Sequence, residues 1–211
     1  MGRGPVHVVD IAGTRRAVRH YRRGGAVARV LGDRYLGGEP TRPWTELWAS
    51  EAARARGIPT PRVVAGVVYG ALGSYRADLM TDFVPHATEL AALLFGTQTS
   101  TKERISALQV TGRLVARLDD TGVRHRDLNA HNVLISRDLE GPAAWLLDLD
   151  RCSVSPAGSR GRAPRGGIDQ PAPMLARLER SLRKLEAKAD ETLSDLEWEA
   201  LRAAASQSPP E

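Results

Sequence analysis

Apolar and polar positions along the chain fall into two blocks of different period. In the first block the apolar runs are short. Val6 to Ile11 reads as a strand, Gly13 as a turn, and Arg16 to Tyr21 as the returning partner strand. Thr41 to Arg56 reads as a helix, with Thr41 as N-cap, Pro43 early in the first turn, and Gly57 with Pro59 ending it. Val63 to Val68 and Ala77 to Val84 are two further strands around a turn at Gly70 to Ser74, and Pro85 closes the block. The period then becomes helical. Thr88 to Phe95 predicts a short apolar helix, and Thr101 to Asp120 a longer one with Ile105, Leu108, Gly112, Val115 and Leu118 on one face, stopped by Gly122. Val133 to Ile135 and Ala143 to Leu147 read as short buried strands around an exposed turn, Asp138 to Pro142. Ser153 to Pro173 carries loop punctuation, and Met174 to Ala189 and Ser194 to Ala204 are the last two helices. Strands first and helices afterwards predict an α+β bilobal fold: a β-rich N-lobe over residues 1–85 and a helical C-lobe over residues 86–211.

Composition narrows the class. With 42% hydrophobic and 26% charged residues in 211, the chain can bury a core, which excludes disorder for most of its length. A single cysteine, Cys152, excludes an internal disulfide and a cysteine-spaced zinc site, and fits a reducing cytoplasm. No apolar run reaches the 18 or so residues of a membrane span, and Met1 to Pro5 lacks the apolar core of a signal peptide. The formal charge of +5 points to an anionic partner. Nearly all of the excess is arginine, the only lysines being Lys102, Lys184 and Lys188. With 5% aromatics and no nucleic-acid motif, nucleic acid is not that partner.

The chemistry concentrates between Val123 and Asp150. Val123-Arg124-His125-Arg126-Asp127-Leu128-Asn129-Ala130-His131-Asn132 matches the H-R-D-L-x-x-x-N catalytic loop of protein kinases, set between a long helix and a short strand. In that loop Asp127 accepts the proton of the attacking hydroxyl, Asn132 faces back to hold Mg²⁺, and His125 and Arg126 brace the loop from beneath. About twenty residues on, Trp145-Leu146-Leu147-Asp148 places an acid directly after a buried strand, the setting of the kinase D-F-G aspartate. Asp148 is therefore the second expected metal ligand. Asp150 stands where that motif has glycine, and two carboxylates so close require compensation, expected from Mg²⁺ and Arg151. A kinase also needs a phosphate-binding cation paired with a helical glutamate. No lysine precedes Lys102, so Arg19 is the expected replacement, with Glu46 as its partner and Glu51 as competitor. Asp82 is grouped with Arg19, Glu46, Asn132 and Asp148 as nucleotide-side residues. The phosphate-covering glycine loop is reduced to Gly2-Arg3-Gly4, so the N-lobe is expected to be shortened at its start, with the true start upstream of Met1.

Around these motifs the chain resembles the 3-deoxy-D-manno-octulosonic acid (Kdo) kinases of the lipopolysaccharide kinase family, which have a protein-kinase-like fold. The resemblance runs through Val18-Arg19-His20-Tyr21-Arg22-Arg23-Gly24-Gly25, Asp33-Arg34-Tyr35-Leu36, Thr41-Arg42 to Glu46, Arg56-Gly57-Ile58-Pro59-Thr60-Pro61, Tyr75-Arg76-Ala77-Asp78-Leu79, His125 to Asn132, Asp148-Leu149-Asp150-Arg151 and Leu175 to Leu185. It implies ATP- and Mg²⁺-dependent phosphorylation of the 4-hydroxyl of a Kdo sugar on a lipid A precursor. The enzyme would be a monomer, peripheral at the cytoplasmic face of the bacterial inner membrane and in contact with its anionic surface. Departures are Arg126 in place of a small residue and Gly166-Gly167-Ile168-Asp169-Gln170-Pro171 in place of an aromatic-bearing loop. Two other readings stay open: a sugar kinase of the same fold acting on a heptose or amino sugar, and a lipid-binding pseudokinase. The arginines from Arg15 to Arg34 form either a solvated face or contacts to acceptor phosphates and anionic lipid. The leucines of Met174 to Ala189 form either core packing or a membrane-lying face.

Overall fold

Alternation at the start of the chain folds into a hairpin, β1 (Val6–Ile11) antiparallel to β2 (Thr14–His20), with Val6 opposite Arg19 and Ile11 opposite Thr14. Its turn puts Ala12 and Gly13 both at positive φ (52° and 76°), the mirror-image turn whose twist matches the strands, and Gly13 donates its N–H to the Asp10 carboxylate at 2.8 Å. The computed structural model describes residues 5–22, 32–37, 40–71, 73–96, 99–138, 141–155, 174–189 and 191–207. The expectations on Gly2 to Gly4, on Arg23 to Gly25 and on most of the Ser153 to Pro173 loop lie outside the described residues.

The N-lobe sheet is organised around β5 (Ser74–Asp82). Along one edge runs β4 (Val63–Ala71); along the other lie β2 and then the short β3 (Tyr35–Leu36), end to end. The β4–β5 ladder continues to Ala71 opposite Ser74, so the connecting turn is tighter than the sequence suggested. Gly70 makes this possible, because a Cβ there would lie 2.3 Å from the Ser74 carbonyl oxygen. A small aromatic core of Tyr21, Tyr35, Tyr75, Ala77 and Leu79 sits under the sheet.

Helix α1 (Arg42–Arg54) joins the two lobes. Thr41 occupies the N-cap position, but its side chain makes no capping bond, and Pro43 sets the first turn instead. Its buried face carries Glu46, Ala49, Ser50 and Ala53; Ala49 and Ala53 pack into the large core of the second lobe with Leu128 and Leu149. The N-lobe helix thus shares its core with the C-lobe, which fixes its position over the catalytic segments.

In the C-lobe the segment expected to be helical from Thr88 starts as a strand, β6 (Ala87–Glu89), before α2 (Leu90–Phe95), because β8 (Val133–Asp138) offers β6 an edge to pair with. β8 continues into β9 (Gly141–Leu146). β7 (Val123–His125) pairs with β10 (Cys152–Val154), a strand that the loop punctuation had hidden. α3 (Thr101–Asp120) opens with a reciprocal Ser100–Glu103 capping box and runs through the core. α4 (Met174–Glu186) buries Met174, Leu178 and Leu182, so its leucine face is core packing. Among the described residues no helix is long and apolar enough to cross a membrane. α5 (Asp195–Ala205) closes against α3.

The α3–α5 crossing is close enough to exclude a side chain at Gly112, whose added Cβ would lie 2.5 Å from the Leu201 carbonyl oxygen and 2.7 Å from Ala204 Cβ. Gly112→Ala improves helix propensity by ~1 kcal/mol, yet overpacking typically costs ~1–3 kcal/mol. The expected result is a lower urea midpoint with an unchanged slope. A higher midpoint would show that the two helices can separate without loss.

Candidate active site

Between the lobes lies a cleft of about 1110 Å³. Its roof is the β1–β2 hairpin, and its floor is the Arg126 to Asn132 loop together with Leu147 and Asp148. Strand alternation in β2 turns Ala17 and Arg19 toward the cleft. Glu46, on the buried face of α1, meets Arg19 there: Arg19 Nη2 donates to Glu46 Oε2 and, at 3.3 Å, to Asp148 Oδ1. The Tyr21 hydroxyl donates to the same Glu46 oxygen. Glu51, the competing glutamate, is exposed and leans on Arg54 at 3.7 Å, so the pairing of Arg19 falls to Glu46. Burial works against the Arg19 charge, but Glu46, Tyr21 and Asp148 outweigh it and hold the guanidinium firmly protonated. Burial and then Glu46 push the Tyr21 hydroxyl up, so it stays a donor.

The floor is built from two short segments tied together. Asn132 Nδ2 donates to the Asp127 carbonyl at 2.9 Å, and Asn129 Nδ2 donates to the same oxygen at 2.7 Å. Leu147 N–H donates to the Asn132 carbonyl at 2.8 Å, which joins the catalytic loop to the Asp148 segment. His125, fully buried, makes a second tie. The Asp127 N–H donates to its Nδ1 at 3.2 Å, so Nδ1 is the acceptor and Nε2 carries the proton that goes to the Leu147 carbonyl at 3.1 Å. His125 is therefore a neutral strut beneath the loop, away from the cleft surface. Asp148 itself takes a left-handed backbone (φ 64°, ψ 57°), an uncommon conformation for a side chain other than glycine.

The remaining predicted residues divide. Asp127 is exposed at the cleft and pairs with Arg151 Nη1 at 2.7 Å. Arg126 does not brace the loop from beneath: its side chain is exposed along the cleft, and its backbone makes the ties, the carbonyl accepting from Arg177 Nη1 at 2.8 Å and the N–H donating to the Arg151 carbonyl at 3.4 Å. Asp82 lines the cleft at the end of β5, its carboxylate paired with Arg16 and with Arg62 Nε at 3.4 Å. Arg151 was expected to offset Asp150, but it serves Asp127. Asp150 is instead buried against Arg42 Nε at 3.0 Å, its side chain 6% exposed. Arg42 also donates to the Tyr35 hydroxyl at 3.0 Å, and its guanidinium lies 4.7 Å from the Tyr35 ring. Sequence reasoning named Arg42 only within the resemblance and gave it no role, although a basic residue in a helix first turn that holds no acidic one was a usable signal.

Comparison with known proteins agrees with this geometry. The family model for the Lipopolysaccharide kinase (Kdo/WaaP) family matches residues 2–204. The chain belongs to that family. It is 35% identical to a 3-deoxy-D-manno-octulosonic acid kinase of Actinobacillus succinogenes over 199 residues, covering 93% of this chain and 77% of that protein. A protein of the same name from Xanthomonas campestris pv. campestris is 34% identical over 205 residues, covering 96% of this chain and 76% of that one. Among solved structures, WaaP in complex with acyl carrier protein superposes with a TM-score of 0.56 over 95% of this chain and 73% of that one, at 14% identity, and so shares the bilobal kinase-like fold. A lipopolysaccharide kinase is a phosphotransferase acting on a hydroxyl group, and its phosphoryl donor is ATP.

The Arg42–Asp150 pair has a pH signature. Burial first, then Asp148, raise the Asp150 carboxyl to about 6 against 3.8 in an unfolded chain, with Arg42 opposing. The folded state thus holds a proton that the unfolded state has lost, and this carboxyl makes stability fall as pH rises from about 4 to about 6. Asp150→Asn removes that slope. The stability difference between the variant and the native protein, followed by urea unfolding, should shift in favour of the variant by roughly 2–3 kcal/mol across that window. A pH-independent difference would mean that Asp150 stays ionised when buried.

Proposed function

We propose that the protein transfers the γ-phosphoryl group of ATP to the 4-hydroxyl of a Kdo sugar on a lipid A precursor, a step in building the lipopolysaccharide core. The observation that carries this reading is the juxtaposition of Arg19, Glu46 and Asp148 over a loop that presents Asp127. Family membership supports the sugar assignment. Arg19 takes the place of the kinase lysine on the α and β phosphates, with Glu46 holding its guanidinium in the cleft. Asp148 and the side-chain carbonyl of Asn132 hold Mg²⁺. The donor set suits that ion, being one carboxylate and one amide oxygen with no sulfur or imidazole, and leaves the water and phosphate ligands that Mg²⁺ usually keeps to be supplied on binding. Among the described residues no cluster of three acidic, histidine or cysteine side chains offers a fuller cage. Bound Mg²⁺ would neutralise charge on the β and γ phosphate oxygens.

The protein's own groups then have separate tasks. Asp127 takes the proton of the acceptor hydroxyl as its oxygen bonds to the γ-phosphorus. The bond from the γ-phosphorus to the β–γ bridging oxygen breaks, and ADP leaves. Arg151 orients the Asp127 carboxylate, while Asn129 and Asn132 fix the backbone beneath it. His125 keeps this loop in register with Asp148. The enzyme works at the cytoplasmic face of the inner membrane as a peripheral monomer, a location supported by its net positive charge and its acceptor's lipid character.

Purified protein with Mg²⁺ and radiolabelled ATP should label a Kdo-bearing lipid A precursor and leave the same precursor without Kdo unlabelled. Equal labelling of both, or labelling of a heptose alone, would sink the Kdo assignment, and no labelling of any acceptor would favour a pseudokinase. Asp127→Asn should slow transfer by two to four powers of ten, the usual loss with a general base, while leaving Mg²⁺-ATP binding close to native by calorimetry. Asp148→Asn and Asn132→Ala should weaken Mg²⁺-dependent nucleotide binding as well.

Arg19 is tested through a graded series. Arg19→Ala should raise the ATP KM and lower turnover, and Arg19→Lys should recover part of both. Removing Arg19 also strands the Glu46 carboxylate, and breaking such a buried pair costs ~3–5 kcal/mol. Thermal unfolding therefore accompanies the kinetics, and Arg19→Ala with Glu46→Gln should regain stability without regaining the ATP KM. Unchanged nucleotide kinetics in Arg19→Ala would move the phosphate contact to another residue.

A further inference from the structure

The C-lobe wall of the cleft is charged in a sorted way. Helix α4 carries acidic and basic residues intermixed along the sequence, yet they separate around its axis. Glu179 turns outward to pair with Arg202 Nε at 2.8 Å, Glu186 accepts the Leu193 N–H at 2.8 Å, and Arg183 lies over the Trp198 ring at 5.0 Å. Those three serve the contact with α5 and the segment before it. Arg177, Arg180, Lys184 and Lys188 instead line the cleft. Their spacing of three, four and four residues makes one stripe. At ~1.5 Å per residue it extends ~16 Å along the helix and its last turn. Two of the three lysines in the chain stand in this stripe.

The row is anchored on the side of the loop that presents Asp127. Arg177 Nη1 donates to the Arg126 carbonyl at 2.8 Å, and Ser181 Oγ accepts the Ala130 N–H at 3.2 Å, so the helix grips both flanks of the loop. Arg19 and Asp148, by contrast, reach the loop through Asn132 and Leu147. Among the described residues Arg180, Lys184 and Lys188 have no ion-pair partner, and Arg177 Nε is buried with no hydrogen-bond acceptor. Three exposed cations and a spare buried donor on one wall of an active-site cleft leave anionic charge to be supplied by what binds there.

We infer that this row is the acceptor's anion subsite, and that it reads phosphate groups carried by the glycolipid. The inference rests on the proposed sugar-acid acceptor. A carboxylate of the sugar, close to the reacting hydroxyl, occupies at most the Arg177 end. The rest of the stripe, from Arg180 to Lys188 and ~12 Å long, fits an acceptor whose further anionic groups are spaced along its length. Phosphates suit a row of point-like lysine ammonium groups and one exposed guanidinium. The row thus sets which glycolipids dock, while Asp127 sets which hydroxyl reacts.

The test uses Arg180→Ala/Lys184→Ala/Lys188→Ala in the full chain, with circular dichroism and thermal unfolding to confirm folding. In transfer assays the KM for a Kdo-bearing acceptor with its phosphates should rise by tenfold to a hundredfold, given the size of such surface attractions, with the ATP KM within twofold of native. The same acceptor stripped of its phosphates should show nearly equal KM values for the native and substituted proteins. A matching rise with both acceptors, or a rise in the ATP KM, would overturn the assignment. A binding arm stands apart from catalysis, so that failure of the Kdo reading can be told from failure of the subsite. Co-sedimentation with phosphatidylcholine vesicles doped with a phosphorylated glycolipid lacking Kdo should be strong for the native protein and at least tenfold weaker for the triple variant. Binding of vesicles doped with phosphatidylglycerol should fall much less. Equal loss with both vesicles would make the row a general membrane-surface contact and reject it as an acceptor subsite.

Discussion

Everything in the cleft depends on one buried carboxylate. Glu46 is 4% exposed, and an uncompensated charge at such a site would not be tolerated. Its compensation comes from two donors of the N-lobe sheet, the Arg19 guanidinium and the Tyr21 hydroxyl. Because Glu46 lies on α1, and α1 packs Ala49 and Ala53 into the C-lobe core, satisfying that carboxylate also sets the height of the sheet above the catalytic loop. The roof is held by an electrostatic demand, and the floor by hydrogen bonds through His125 and Asn132.

An arginine in this position differs physically from the lysine of a protein kinase. A lysine ammonium is a compact charge, whereas a guanidinium keeps a planar fork of donors on an always-charged group. Here one nitrogen of Arg19, Nη2, already spans Glu46 and Asp148. Under the proposed function, the rest of the fork is the part that would turn to phosphate without releasing Glu46. Arg19 therefore links sheet, helix and Asp148 segment through a single side chain, and its guanidinium lies 4.6 Å from the Tyr21 ring. The Arg42–Asp150 pair repeats the theme one turn earlier on α1, tying the start of the helix to the residue two beyond Asp148.

Much of this was legible because its determinants are local. The H-R-D-L loop, the acid after a buried strand and the Thr101 to Asp120 helix follow from spacing and period alone, and all three stand where the pattern put them. Arg19 could be singled out because no lysine precedes Lys102 and it follows Val18 as the kinase lysine follows its strand hydrophobics. What escaped was pairing at a distance. β6 took two residues, Thr88 and Glu89, from an apolar helix because β8 supplied an edge, and β10 emerged inside loop punctuation because β7 lay beside it. Arg42 took the duty expected of Arg151 for the same reason. Nearness in sequence suggested Arg151 for Asp150, but the turn after Asp148 points Arg151 toward Asp127 and buries Asp150 under α1.

That turn explains why an acidic residue can replace the glycine of the kinase motif. In this chain the left-handed backbone falls on Asp148 itself, and Leu149–Arg151 follows as a short 3₁₀ turn. The position of Asp150 is thus an ordinary one that accepts a side chain. With glycine's conformational freedom unnecessary there, the site can carry a carboxylate, and Arg42 at the start of α1 gives it a partner. The result is a second fastening between α1 and the Asp148 segment, at the opposite end of the helix's first turn from Glu46. Two fastenings resist rotation of α1 in a way one cannot, since a single pair leaves the helix free to pivot about it. The geometry of Arg19, Glu46 and Asp148 is therefore held from both sides: by Tyr21 and the sheet above, and by Arg42 and Asp150 behind.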